Sequence, residues 1–269
     1  MGVRNRQNRR RITGVFAVVI SVVVVLFTRS VSDFNEDQVC KEWADVDALI
    51  PPVRSYDFDS SAWNTLEAPV FELDSNLNEE AYRIVSDENG LTVFHGAEGD
   101  HRAQSTLGQL GMLGNEAALP WGEISDEPVF AHRGVLMDVC RHFFTVEQVK
   151  RQLDIMALYK FNVLHWHLTE DQGWRIAMDA YPKLAEVAAY RSHGDSVYGG
   201  FYTREDLEEV VAYAAGYGIE VIPEIELPGH SQAALAAYPH LGCSGEPVAV
   251  ATEWGVFKDI YCAGNEQTF

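Results

Sequence analysis

Positive charge is scarce in this sequence: 20 Lys+Arg stand against 40 Asp+Glu, for a net charge of −20. It is also unevenly placed. Six arginines and no acid lie in residues 1–32, so the rest of the chain holds 14 Lys+Arg against 40 Asp+Glu, a balance of −26. A body this acidic repels phosphate backbones and excludes nucleic acid as a partner. It suits neutral or cationic substrates. Internal repeats and low-complexity tracts are absent, which excludes solenoids and arrays. Cysteine is limited to Cys40, Cys140, Cys243 and Cys262.

What is present begins with a basic head. Arg4, Arg6, Arg9, Arg10 and Arg11 precede Ile12–Thr28, 17 residues without a charge, and Arg29 follows. A basic flank before an apolar run is an export signal, with the basic side left in the cytoplasm. Residues 1–29 therefore read as a signal or anchor segment. No A-x-A-like cleavage site follows it, which favours an uncleaved membrane anchor over a secreted product. Export permits disulfides. Cys243 and Cys262 lie close together in a loop-like stretch and are expected to pair. Cys140 ends an apolar run and reads as a buried thiol.

Residues 30–49 are polar and acidic, as in a linker. Residues 50–128 read as a small α+β domain. Pro69–Leu73, Ala81–Val85 and Leu91–His95 are expected strands, the last two joined as a hairpin through Asn89-Gly90. Arg102–Leu113 has helical spacing. From Val129 strand and helix alternate. Gly134–Cys140, Phe161–Leu168 and Ile219–Ile225 are expected strands. Thr145 opens one intervening helix in a capping box with Gln148, and Val149, Leu153, Met156 and Ala157 form its apolar face. Thr203 caps the next, with Leu207, Val210, Val211 and Ala214 inward. Strands alternating with helices imply an α/β fold with a parallel sheet. Three parallel strands leave two open edges, and residues 129–269 are fewer than the about 250 of a (β/α)8 barrel. The expectation is the first part of such a TIM barrel, in a truncated chain.

Polar residues cluster at each strand end: Arg141-His142 after the first, His165-Trp166-His167 and Glu170-Asp171-Gln172 after the second, Glu224, Glu226 and His230 after the third. Parallel barrels place their sites at these carboxyl ends.

The stretches Arg133–Phe143 (RGVLMDVCRHF), Asn162–Arg175 (NVLHWHLTEDQGWR), Tyr198–Thr203 (YGGFYT) and Pro223–His230 (PEIELPGH) resemble, in order and spacing, the strand motifs of glycoside hydrolase family 20, the β-N-acetylhexosaminidases. The resemblance runs from about Ser105 to Phe269. It implies a TIM barrel that removes terminal β-linked N-acetylhexosamines from oligosaccharides or glycoconjugates, without cofactor or metal. The substrate's own acetamido oxygen is then the nucleophile, an exception among retaining glycosidases. An adjacent Asp-Glu pair orients that group and protonates the leaving oxygen. No residue matches it: Asp87-Glu88 and Asp126-Glu127 precede the barrel, so the pair is expected beyond Phe269 and the chain is expected to be inactive.

By the same resemblance Arg141 binds the sugar hydroxyls, while His230 and Glu170 support the catalytic Glu. Glu170 stands where an Asp is common, and Glu226 shows a similar exchange. His167, Asp171, Trp174 and Glu226 fall in the supporting layer. Two other readings compete. A non-catalytic carbohydrate-binding barrel follows if no Asp-Glu pair exists. A metal-dependent hydrolase would use His165 and His167 as a ligand pair, with His230 as the third that such sites need.

Overall fold

The computed structural model describes residues 46–66, 68–113 and 118–268. The basic head, the apolar run 12–28, Cys40 and most of the 30–49 linker lie outside them. Among the described residues no helix is long and apolar enough to cross a membrane.

The first part is a five-stranded sheet, β1 (Ser55–Thr65), β2 (Val70–Leu73), β3 (Tyr82–Asp87), β4 (Gly90–His95) and β5 (Ala118–Asp126), in the order β1-β5-β3-β4-β2. β3 and β4 form an antiparallel hairpin closed by Asp87 opposite Gly90, whose φ of 117° only glycine adopts at ease. Tyr82, Ile84 and Ser86 of β3 and Leu91 and Val93 of β4 alternate inward. Helix α1 (Gly99–Leu113) turns Arg102, Ala103, Thr106 and Leu110 into the interior. β1 and β5 were not expected. Each mixes polar residues into an irregular pattern, and β1 carries a register shift between Asp59 and Trp63.

The second part starts with β6 (Gly134–Asp138), α2 (Val146–Leu158) and β7 (Val163–His167). Two short antiparallel ribbons follow, β8 (Thr169–Glu170) with β9 (Gly173–Trp174) and β10 (Tyr190–His193) with β11 (Ser196–Gly199). A π-helical turn, Leu184–Ala188, lies between these ribbons. Then come α3 (Arg204–Ala215), β12 (Glu220–Glu224) and α4 (Gln232–Ala237). β6, β7 and β12 form a parallel sheet in the order β12-β7-β6. Both helix starts carry capping boxes: Thr145 with Gln148, and Thr203 with Asp206. These satisfy backbone N–H groups that have no partner within the helix.

Helices cover one face of this sheet. Val149, Leu153, Met156 and Ala157 of α2 and Val210 and Ala214 of α3 pack against Val135, Met137, Leu164, Trp166 and Val221 of the strands. Val211 is a correction: it was expected inward, but it is 49% exposed, because α3 needs only its Val210–Ala214 stripe for the contact. The expected first strand also shortens. It stops at Asp138, whose carboxylate takes the N–H groups of Cys140 and Arg141 and turns the chain.

The other face repeats in layers across the register. Leu136, His165 and Ile222 are aligned, as are Asp138, His167 and Glu224. Leu136 is 56% and Ile222 41% exposed, so this side carries apolar side chains with little cover. The Asp138–His167–Glu224 layer closes the carboxyl end.

Two ion clusters join the sheet layers at the opposite end. Glu80 accepts from Arg102 and Arg133, and Arg102 also donates to the carbonyl of Gly218. Lys160 reaches Asp126 at 2.8 Å and the Tyr82 hydroxyl at 2.9 Å.

Candidate active site

The site lies where β6, β7 and β12 end. β8 and β9 fold Glu170-Asp171-Gln172-Gly173 into a tight turn that carries Glu170 fully inside, with no side-chain exposure. A Cβ on residue 173 would lie 2.4 Å from the Arg175 guanidinium, so any larger residue there would displace that side chain. After β12 the chain turns through Pro228-Gly229, and His230 adopts a left-handed φ of 51°. That conformation is uncommon for a residue with a Cβ and clusters at functional sites.

Glu170 is the centre of the arrangement. Its Oε1 takes Arg141 Nη2 at 2.7 Å and lies 2.5 Å from His230 Nδ1. Its Oε2 lies 3.6 Å from His167 Nε2, and neither of these two buried atoms has a hydrogen-bond partner among the described residues. Burial alone pushes the Glu170 carboxyl up, but His167, His230 and Arg141 outweigh it and hold it below the usual range. Arg141 is braced on the other side by Asp138, Nη1 to Oδ2 at 2.7 Å. Burial again opposes ionisation of Asp138, and the bonds from Arg141 and the two backbone N–H groups reverse it.

Glu224 holds both strand histidines: its Oε2 lies 2.6 Å from His167 Nδ1 and 2.7 Å from His165 Nε2. Burial disfavours the His167 cation, yet the carboxylates of Glu170 and Glu224 push its pKa up to about 9. His165 and His167 therefore converge on a carboxylate.

The remaining residues surround this core. Asp171 accepts the N–H of Gln232 and fixes the start of α4, and burial raises its pKa despite that bond. Glu226 donates its backbone N–H to Thr169, and its carboxylate falls within 4.8 Å of Glu170 and His230 ligand atoms. Trp174 points away from the charges. Its indole N–H donates to the Ile176 carbonyl, and its ring packs with Leu184, Ala188, Ala233 and Ala234. Cys243 and Cys262 are joined in a disulfide, and Cys140 is a buried free thiol whose pKa burial raises.

The structure thus brings Arg141, Glu170, His167, Asp171, Glu226 and His230 together and leaves Trp174 to the packing behind them. Asp138 and Glu224 complete the charge pattern. Asp138 escapes notice because it sits inside an apolar run; the signal for it is period two, which puts it on the face of Leu136. Trp254, 71% exposed, lies 5.9 Å from the Arg141 guanidinium and 6.0 Å from the His142 ring. Nothing in its local sequence marks it.

The sequence profile of "Glycosyl hydrolase family 20, catalytic domain" matches residues 130–269. The chain belongs to glycosyl hydrolase family 20. Among the family's enzymes, it is 47% identical over 203 residues to a β-hexosaminidase of Porphyromonas gingivalis, covering 72% of this chain and 26% of that protein. It is 43% identical over 193 residues to a β-hexosaminidase of Akkermansia muciniphila, covering 69% of this chain and 39% of that protein. The fold is similar to the Streptomyces plicatus N-acetyl-β-hexosaminidase solved with Thio-NAglucal, at a TM-score of 0.75 and 31% identity, over 83% of this chain and 55% of that one. A further β-N-acetylhexosaminidase crystal structure gives 0.75 and 39%, over 81% and 48%. The chain therefore spans between a quarter and just over half of the family members compared.

Proposed function

We propose that this chain supplies one side of the sugar pocket of a β-N-acetylhexosaminidase, which hydrolyses terminal non-reducing β-linked N-acetyl-D-hexosamines. The observation that carries this is the single Glu170 oxygen shared by Arg141 and His230, at the ends of successive parallel strands. The guanidinium is a rigid fork suited to paired sugar hydroxyls. His230 is engaged through Nδ1, which leaves Nε2 to face an acid, and its side chain is 45% exposed. The uncovered face bearing Leu136, His165 and Ile222 fits the inside of a (β/α)8 barrel.

In this reading hydrolysis is substrate-assisted and retaining. The acetamido oxygen attacks the anomeric carbon while a general acid gives its proton to the leaving oxygen. His230, polarised by buried Glu170, holds that acid. Arg141 binds hydroxyls in ground and transition state alike. The 269 residues hold no Asp-Glu pair within 129–269. On its own the polypeptide is therefore proposed to be inactive and limited to weak sugar binding. We further propose export, with residues 12–28 as anchor or signal; the basic flank and the Cys243–Cys262 disulfide support it. Turnover of an aryl N-acetyl-β-glucosaminide by the full product of the reading frame separates enzyme from binding protein.

A further inference from the structure

The loop that carries Arg141 lies outside strand and helix, so its backbone groups need partners from elsewhere. Side chains supply them. Cys140 and Arg141 donate their N–H groups to Asp138 Oδ1. Three successive carbonyls then accept from guanidinium groups: Val139 from Arg175 Nε at 2.9 Å, Cys140 from Arg175 Nη2 at 2.5 Å, and Arg141 from Arg191 Nη2 at 2.7 Å. The N–H of Phe143 donates to the Tyr198 hydroxyl at 2.9 Å.

Two of these partners, Arg191 and Tyr198, belong to the β10–β11 hairpin, and a third, Arg175, binds its base. Arg191 and Tyr198 are cross-strand neighbours in its ladder, and the Arg191 guanidinium lies 5.1 Å from the Tyr198 ring centre. Ala189 and Gly200 flank the hairpin, and both of their carbonyls accept from Arg175 Nη1. Arg175 has no exposure, and its four bonds all go to backbone carbonyls, two in the loop and two at the hairpin's base. It binds one to the other. The close approach explains Gly199-Gly200 within the YGG stretch. A Cβ on residue 199 would lie 2.0 Å from the Ala189 oxygen, and one on residue 200 would lie 2.6 Å from the Phe143 ring.

We infer that the β10–β11 hairpin is a clamp that positions Arg141, and that Arg191 and Tyr198 are the positioning residues that set it. The inference rests on the reading of Arg141 as the sugar-binding residue. Charge-assisted bonds are the strong ones, and Arg191 places one on the carbonyl of the residue whose side chain must meet the sugar. Arg191 and Tyr198 meet each other and the loop, and among the described residues neither has a hydrogen bond to Glu170 or His230. Their loss shifts Arg141 while leaving Glu170 and His230 in place.

Two measurements test this. On the 269-residue chain, amide exchange is followed by mass spectrometry for wild type, Arg191→Ala and Tyr198→Phe. Exchange across residues 139–144 rises by at least about tenfold in both variants while helix α2 keeps its protection. On the full product of the reading frame, Arg191→Ala raises KM for an aryl N-acetyl-β-glucosaminide by roughly tenfold with kcat within about twofold, as loss of uniform binding requires. Arg191→Lys, which restores one donor, recovers most of it, and adding Arg191→Ala to Arg141→Ala costs nothing more. Unchanged exchange overturns the clamp whatever the kinetics. Raised exchange with an unchanged KM overturns the positioning role. A wild type with no turnover sinks the hexosaminidase reading instead, and exchange alone then decides the clamp.

Discussion

His230 Nδ1 and Glu170 Oε1 lie 2.5 Å apart across 60 residues of sequence, and the same oxygen takes Arg141 Nη2 at 2.7 Å. One buried carboxylate oxygen thus couples the Arg141 guanidinium to the His230 imidazole. Each partner lowers the cost of burying the charge of Glu170, which burial alone disfavours.

In the proposed mechanism the two partners act on different stages, so their loss should be separable. In the full product of the reading frame, Arg141→Ala should chiefly raise KM. His230→Ala should chiefly lower kcat, by about a hundredfold, in line with the worth of general acid catalysis. Steady-state kinetics on an aryl N-acetyl-β-glucosaminide gives both numbers, and unchanged activity in both variants would remove these residues from the site.

His167 sets a pH dependence of stability. Its folded pKa is raised to about 9 from an ordinary 6.5, so the folded state binds its proton more tightly than the unfolded chain does. The resulting stabilisation is fully present below about pH 6.5 and fades as pH rises through about 9, by up to about 3 kcal/mol. Denaturant midpoints should fall between pH 7 and 10 in wild type and fall less in His167→Gln. An imidazole titrating below 7 in a histidine NMR experiment would contradict the assignment.

The alternation of strand and helix was legible because local signals agreed. The cap at Thr145 and the apolar stripe Val149–Ala157 mark α2, and the cap at Thr203 with Val210 and Ala214 marks α3. The glutamate and histidine clusters were legible for a related reason: in a parallel sheet, polar residues that end apolar runs fall at one end. What stayed hidden depends on pairing distant in sequence. β1 and β5 are strands only because each pairs with the other, and β5 also with β3. Arg191 and Tyr198 gain meaning only when the hairpin folds onto the loop after β6.

Glu80 links Arg102, which is 1% exposed in its side chain, to Arg133 at 15%. Removing one partner of a buried pair leaves an uncompensated charge and costs about 3–5 kcal/mol. Glu80→Ala should lower stability by about 3 kcal/mol, since Glu80 itself is 19% exposed. The cost should show as weakened protection of α1, where Arg102 also donates to the Gly218 carbonyl. Chemical denaturation and amide exchange measure both effects.

Residues 243 and 262 close a loop of 19 residues that holds only irregular chain and sits beside α4. Replacing both cysteines by serine should cost about 3 kcal/mol, mainly through freedom regained by the unfolded chain. Peptide mapping of the protein isolated from its source should recover the linked pair, and free thiols at both positions would refute the linkage in the cell.

The most direct test of the account is turnover of an aryl N-acetyl-β-glucosaminide by two purified samples, the 269-residue chain and the full product of its reading frame. The full product is expected to release the aryl alcohol with retention at the anomeric carbon, and the 269-residue chain to release none. Clear turnover by the 269 residues alone, or none by the full product, would contradict it.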